Sequence, residues 1–148
     1  MSNVKILSQY IKDLSFEVPQ APQVFFSPIN KPNIALNINI DAKKISDENY
    51  EILLKINAEA TQEEKKIFIC EVEYGGLFQL QKIENEMLEQ VLLIYCPNIL
   101  FPFIRRVIAN VTSDGGFAPL MLDLIDFADL YNRRKNIANA TPISNTQN

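Results

Sequence analysis

Residues 34–42 read Ile34-Ala35-Leu36-Asn37-Ile38-Asn39-Ile40-Asp41-Ala42. Ile34, Leu36, Ile38 and Ile40 alternate with Ala35, Asn37, Asn39 and Asp41. Successive side chains of a strand point to opposite faces, so this segment predicts a strand with one apolar and one wet face. Residues 50–60 repeat the pattern, with Tyr50, Ile52, Leu54, Ile56 and Ala58 against Glu51, Lys55, Asn57 and Glu59. Such one-sided strands belong to an antiparallel sheet. Residues 66–74 form another run, with Phe68, Cys70, Val72 and Tyr74 on one side and Ile67, Ile69, Glu71 and Glu73 on the other. Gly75-Gly76 permits a bend or bulge before Leu77-Phe78-Gln79-Leu80 continues extended. Upstream, residues 10–18 set Leu14, Phe16 and Val18 against Asp13, Ser15 and Glu17, and Pro19 ends the strand. Residues 43–49 read as a polar loop and 61–65 as a turn.

Downstream the period changes. Residues 84–95 read as helix, with Met87, Leu88, Val91, Leu92 and Ile94. Pro97 and Pro102 belong near helix starts or at a kink. A further helix starts at about 98 or 102 and runs to 113, where Gly115-Gly116 stops it. A last short helix spans about 126–134, with Asp126 as N-cap, Asp129 in the first turn and Arg133 and Arg134 in the last. Strands first and helices afterwards predict an α+β fold: a four-stranded antiparallel sheet, a long helix and a short C-terminal helix. Residues 1–9 read as an N-terminal extension, 10–135 as one domain, and 136–148 as a disordered polar tail.

Composition removes whole classes of function. The chain has 148 residues, Lys+Arg 14 against Asp+Glu 18, a net charge of -4, no His, no Trp and two Cys. An acidic balance disfavours nucleic-acid binding, which needs a basic face to displace counterions from phosphate. Without histidine there is no Ser-His-Asp triad, Cys-His dyad or His-bearing zinc site, and Cys70 and Cys96 are too few for an all-cysteine one. All four glycines sit in two pairs, so no phosphate loop exists. No unbroken apolar run reaches the roughly 18 residues of a membrane span, so no membrane insertion is expected. The first ten residues lack the pattern of a secretory leader, and two free thiols suit a reducing compartment; a cytoplasmic location is the expectation. No catalytic residue, metal or cofactor is expected. An enzyme working through carboxylates alone is the rival class; it predicts a compact pocket and turnover.

Three features carry positive information. If the first and fourth strands expose the same side of the sheet, Asp13, Glu17, Glu71 and Glu73 form an acidic patch with Ile67 and Ile69 at its centre; otherwise they are ordinary solvated residues. Residues 19–32 carry Pro19, Pro22, Pro28 and Pro32, which forbid helix and central strand, yet also Val24, Phe25, Phe26 and Ile29. Residues 116–124 form a second apolar connection, with Phe117, Pro119, Leu120 and Met121. These segments either fold over the sheet or border an open groove. Finally, the helix ending at 113 is apolar on both its Ile99/Phe103/Val107 side and its Ile104/Ile108/Val111 side. One sheet covers one side, so the other is buried under loops or in an oligomer.

Several of these segments resemble the SecB family of bacterial protein-export chaperones. The resemblance lies in Tyr10-Ile11-Lys12-Asp13-Leu14-Ser15-Phe16-Glu17 with Pro19, Ala21 and Pro22, and in Glu71-Val72-Glu73-Tyr74-Gly75-Gly76-Leu77-Phe78. It continues in Tyr95-Cys96-Pro97-Asn98-Ile99-Leu100-Phe101-Pro102-Phe103, and in Gly116-Phe117, Pro119, Leu120 and onward to Tyr131, so that it covers about residues 6–132. It implies a homotetramer, a dimer of dimers, that holds unfolded precursor proteins without ATP. Precursors would occupy grooves bounded by residues 19–32 and 115–125, with Phe25, Phe26, Ile29, Phe117, Leu120 and Met121 as groove residues. It implies docking on the export ATPase SecA through Asp13, Glu17, Ile69 and Glu71, with no metal in this chain. The family often carries a tryptophan in the proline-rich loop; here Ile29 or Phe26 takes that place. A SecB-like chaperone of another client system, such as a toxin–antitoxin pair, is the alternative within the resemblance.

Overall fold

In a computed structural model the protein is described over residues 3–146. Strands β1 (Val4–Glu17), β2 (Asn33–Ser46), β3 (Asn49–Gln62) and β4 (Lys65–Leu80) make one antiparallel sheet in the order β1-β4-β3-β2. Helix α1 (Asn85–Asp114) crosses the inner face, and α2 (Phe127–Thr146) follows an irregular connection. The fold class is the one the alternation and its change of period predict.

The strands are longer than expected. β2 and β3 meet at a two-residue turn, Asp47-Glu48, and β3 and β4 at Glu63-Glu64. The φ angles of Glu63 and Glu64 are 53° and 65°, the left-handed values that tight hairpins require. Residues 43–46 are strand although polar, because both faces are wet at that end and no alternation marks them. β1 likewise begins at Val4, so residues 4–9 belong to the sheet and not to an extension. Their period is broken by two bulges, at Leu7 and at Lys12, where β1 spends one residue more than β4. The glycine pair makes no bulge: β4 runs through Gly75 and Gly76 in continuous register.

The two helices expected around the prolines are one. Between Val91 and Tyr95 the helix widens by one residue per turn, and the Cys96 N–H bonds to the Val91 carbonyl five residues back. Pro97 follows directly, where a regular turn would press its ring against a carbonyl. By length and composition alone α1 is apolar enough to cross a membrane, a test that the core helix of a globular domain also passes. Part of that apolarity is used inside the domain. Cys96, Leu100, Ile104 and Ile108 lie against Ile52, Leu54, Ile56, Cys70, Val72 and Phe78, all fully buried. Burial pushes the Cys70 and Cys96 thiols up to about 11 and about 12, so both stay protonated and unreactive.

The Asp126 carboxylate accepts from the Asp129 N–H at 2.9 Å and caps α2, as expected. The helix does not stop at 134 but continues to Thr146, through most of the segment read as a disordered tail. That segment has no charged residue after Lys135 and no apolar period, so the sequence carries no mark of it. Residues 147 and 148 of the expected tail, and 1 and 2 of the expected extension, lie outside the described residues.

Candidate functional site

Residues opposite each other in an antiparallel pair share a face. The register therefore sets three rows across the outer face of the sheet: Asp13, Glu73, Lys55 and Asn39; Ser15, Glu71, Asn57 and Asn37; Glu17, Ile69, Glu59 and Ala35. Asp13, Glu17, Ile69 and Glu71 thus lie side by side, although more than fifty residues separate the two strands in sequence. The two lysines nearby are each paired, Lys55 with Glu71 at 3.8 Å and Lys66 with Glu59 at 3.4 Å. Asn57 Nδ2 donates to Glu71 at 3.0 Å. Exposed pairs of this kind contribute about 0–1 kcal/mol each, so the patch keeps an excess of negative charge without being rigidly neutralised.

Beside this patch Tyr10 donates to Glu51 at 2.6 Å, and Lys12 Nζ lies 3.0 and 3.1 Å from the two carboxylate oxygens. The Tyr10 bond, and then Lys12, hold the Glu51 carboxyl below its ordinary value of 4.5. Burial and the same bond push Tyr10 up to about 12. The stability drawn from Glu51 is present above 4.5 and lost as pH falls through its folded value; that from Tyr10 is lost as pH rises through about 12. The cluster is closed across the neutral range.

On the inner face, a cleft of about 410 Å³ is lined by Ile29, Pro32 and Ile34 on one side, Ile67 and Phe68 on its floor, and Phe117, Pro119 and Leu120 on the other. Phe117 is the hub of a ring cluster, with centroids 5.2 Å from Phe68, 5.3 Å from Phe25 and 6.4 Å from Phe16. Gly116 has φ 97°, and a Cβ there would stand 3.0 Å from the Phe25 ring, so only glycine fits beneath it. A smaller cavity of about 150 Å³ adjoins, sharing Ile29 and Ile67. A third, of about 400 Å³, lies farther along β2, between Ile40, Leu93 of α1, and Leu130, Tyr131 and Arg134 of α2. Ile34 and Ile40 are on the same face of β2 and, at about 3.4 Å per residue, some 20 Å apart. Leu36 stands exposed between them, and Arg134 donates to the Ile38 carbonyl.

Of the groove residues read from sequence, Ile29, Phe117 and Leu120 line the main cleft and Phe25 packs on its wall. Phe26 (85% exposed) and Met121 (56% exposed) point elsewhere and do not line it. On its floor, Ile67 does not join Ile69 on the acidic face as the alternation predicts: β4 bulges at Ile67, between Lys66 opposite Thr61 and Phe68 opposite Ala60, and so turns both Ile67 and Phe68 into the cleft.

Both walls are tied. Gln62 accepts from the Asn30 N–H at 2.9 Å and donates to the Pro28 carbonyl at 3.2 Å. The buried Thr112 hydroxyl accepts from the Leu120 N–H at 2.9 Å, and Arg105 donates to the Leu122 carbonyl at 2.7 Å. A Thr112→Val variant keeps the shape but strips Leu120 of its acceptor. It should lose about 1–3 kcal/mol of stability in urea unfolding, with a matching rise in exchange of the Leu120 amide.

The far side of α1 remains uncovered within the subunit. Tyr95, Phe103, Ile11 and Leu14 are each between 42% and 49% exposed. Ile11 and Phe103 meet through Tyr74, which pairs with Ile11 and stacks on Phe103 at 6.2 Å. On this side of α1, Phe103 stays open within the subunit while Ile99 and Val107 are half-buried against the core.

The profile of the family described as "SecB: Preprotein translocase subunit SecB" matches residues 1–138. The chain is 47% identical over 131 residues to the protein-export protein SecB of Parvibaculum lavamentivorans, covering 88% of this chain and 78% of that one. It is 46% identical over 128 residues to that of Maricaulis maris (86% and 74%), and 42% identical over 144 residues to that of Caulobacter vibrioides (97% and 88%). Among solved structures, a SecB-like chaperone of Mycobacterium tuberculosis in complex with a ChAD peptide from the HigA1 antitoxin superposes with a TM-score of 0.66 at 15% identity, over 82% of this chain and 87% of that one, and shares the fold. Matched by the family profile over residues 1–138 and by relatives at 42–47% identity, the chain belongs to the SecB family.

Proposed function

We propose that this protein is an ATP-independent export chaperone of the cytoplasm, which holds unfolded precursor chains and delivers them to SecA. The observation that carries the reading is the line of apolar clefts along one strand edge: about 410 Å³ at Ile34 and about 400 Å³ at Ile40, with Leu36 between. An extended chain lying there could place alternate side chains into the clefts while its backbone bonds along β2, which has a strand neighbour on one side only. Recognition of that kind reads apolarity and extension rather than sequence. Each Å² of apolar surface buried supplies about 25 cal/mol before the ordering of the client is subtracted. No covalent step is needed: binding the unfolded chain and not its native form delays folding by mass action.

The acidic outer face suits a basic docking partner, and Asp13, Glu17, Ile69 and Glu71 are the residues proposed to meet SecA. The exposed stripe of Tyr95, Phe103, Ile11 and Leu14 is the surface proposed to be covered in a homotetramer built as a dimer of dimers. The names of the relatives at 42–47% identity favour export. The antitoxin reading has only a neighbour at 15% identity behind it and is not adopted.

A refolding experiment tests this directly. One tetramer per slow-folding precursor should slow refolding at least about tenfold without nucleotide. An unchanged refolding rate at stoichiometric protein overturns the reading.

A further inference from the structure

We propose that Glu51 is a positioning residue, which holds the bulge of β1 so that Asp13 stands on the docking face. The proposal rests on the docking reading above. Tyr10 and Asp13 are three residues apart, and a regular strand would set them on opposite faces. Both lie on the outer face because Lys12 is left over between Ile11, opposite Tyr74, and Asp13, opposite Glu73. A one-residue shift of that bulge toward Asp13 would lift its carboxylate out of the row it shares with Glu73.

Beyond its ladder to β4, few contacts among the described residues fix the bulge. β1 has one strand neighbour, and Ile11 and Leu14 beside the bulge are half exposed. Phe16 secures the strand downstream through its ring contact with Phe68, at 5.6 Å. Upstream, the hold comes from β3, across the whole width of β4. Glu51 is opposite Leu77, and its side chain, only 12% exposed, receives both the Tyr10 hydroxyl and the Lys12 ammonium. The tyrosine reaches it by lying flat on Gly75, where a Cβ would come within 2.8 Å of Tyr10 Cζ. One carboxylate thus ties down both the last outward-facing residue before the bulge and the bulged residue itself.

Lys12→Gln and Tyr10→Phe, made in the full chain, separate positioning from charge. Charge alone predicts that Lys12→Gln, by making an acidic face more acidic, tightens binding to SecA. Positioning predicts weaker binding. Both variants should speed amide exchange at residues 11–14 about tenfold and weaken SecA affinity about threefold to tenfold, with client affinity unchanged. On an Asp13→Ala background the same substitutions should cost no further SecA affinity. Unchanged exchange, or tighter binding by Lys12→Gln, overturns the proposal. So does faster exchange with full SecA affinity where Asp13→Ala alone is defective, because register and docking are then uncoupled. If Asp13→Ala itself binds SecA normally, the docking reading fails first and the positioning role falls with it, while the exchange data still show whether Glu51 holds the strand.

Discussion

A Glu71→Lys variant should bind SecA about a hundredfold more weakly and hold unfolded clients as well as the parent. Glu71 occupies the middle row of the outer face, flanked on its own strand by Ile69 and Glu73. Reversing it removes a negative charge, adds a positive one, takes the acceptor from Asn57 and leaves Lys55 beside a like charge. Like charges set against a complementary partner cost several kcal/mol, enough for about two orders of magnitude. The side chain is on the opposite face from the clefts, so the client sites are untouched. Titration calorimetry with SecA and with a denatured precursor measures the two separately, and light scattering confirms an intact particle. Rising salt should weaken SecA binding far more than client binding, since the Debye length falls from about 10 Å at 0.1 M to about 3 Å at 1 M. Equal loss of both activities in an intact tetramer would contradict the separation of surfaces.

Client capture should collapse in a Phe117→Ala variant. That ring contacts Phe16, Phe25 and Phe68 and forms part of the cleft wall. Its removal unseats Phe25 and opens the cleft, and affinity for a denatured precursor should fall at least about tenfold. Large-to-small changes at fully buried phenylalanines cost about 3–5 kcal/mol of stability, and this half-buried one should cost less, about 2. Leu120→Asp guards against misreading lost stability as lost binding. Leu120 lines the same wall, and a carboxylate there repels an apolar client while keeping the Leu120 N–H bond to Thr112. Client binding should fail in both variants, with SecA binding retained. Arrest of refolding at the parent level by both would mean that the cleft is not where clients sit.

The sequence made some of this legible and hid the rest for definite reasons. Alternation in residues 50–60 and 66–74 is strong because one face of those strands packs under α1, and in 34–42 because that face borders the apolar clefts. It vanishes at 43–46, where both faces are wet, and at 4–9, where only Val4 and Gln9 are partly buried, and bulges at Leu7 and Lys12 break the period further. The prolines of α1 read as helix starts because their usual effect is to break a helix; the widened turn before Pro97 removes the clash locally. In the site, Phe117, Leu120 and Ile29 stood out as apolar residues on irregular chain. Phe68 has the same pattern as a strand residue under a helix, and Ile67 reads as part of the outer face because the bulge that turns it inward leaves no mark in the alternation. The link from Tyr10 to Glu51 spans forty-one residues and depends on a glycine between them, a relation only the register reveals.

β4 belongs to both faces of the molecule at once. Phe68 looks into the main cleft, and Ile69, its immediate neighbour, looks out among the acids. On the proposed function, cargo and motor would be held on opposite sides of this one strand. Whatever tilts the strand under a loaded chain tilts the acids behind it, so a full carrier and an empty one need not look alike from the back.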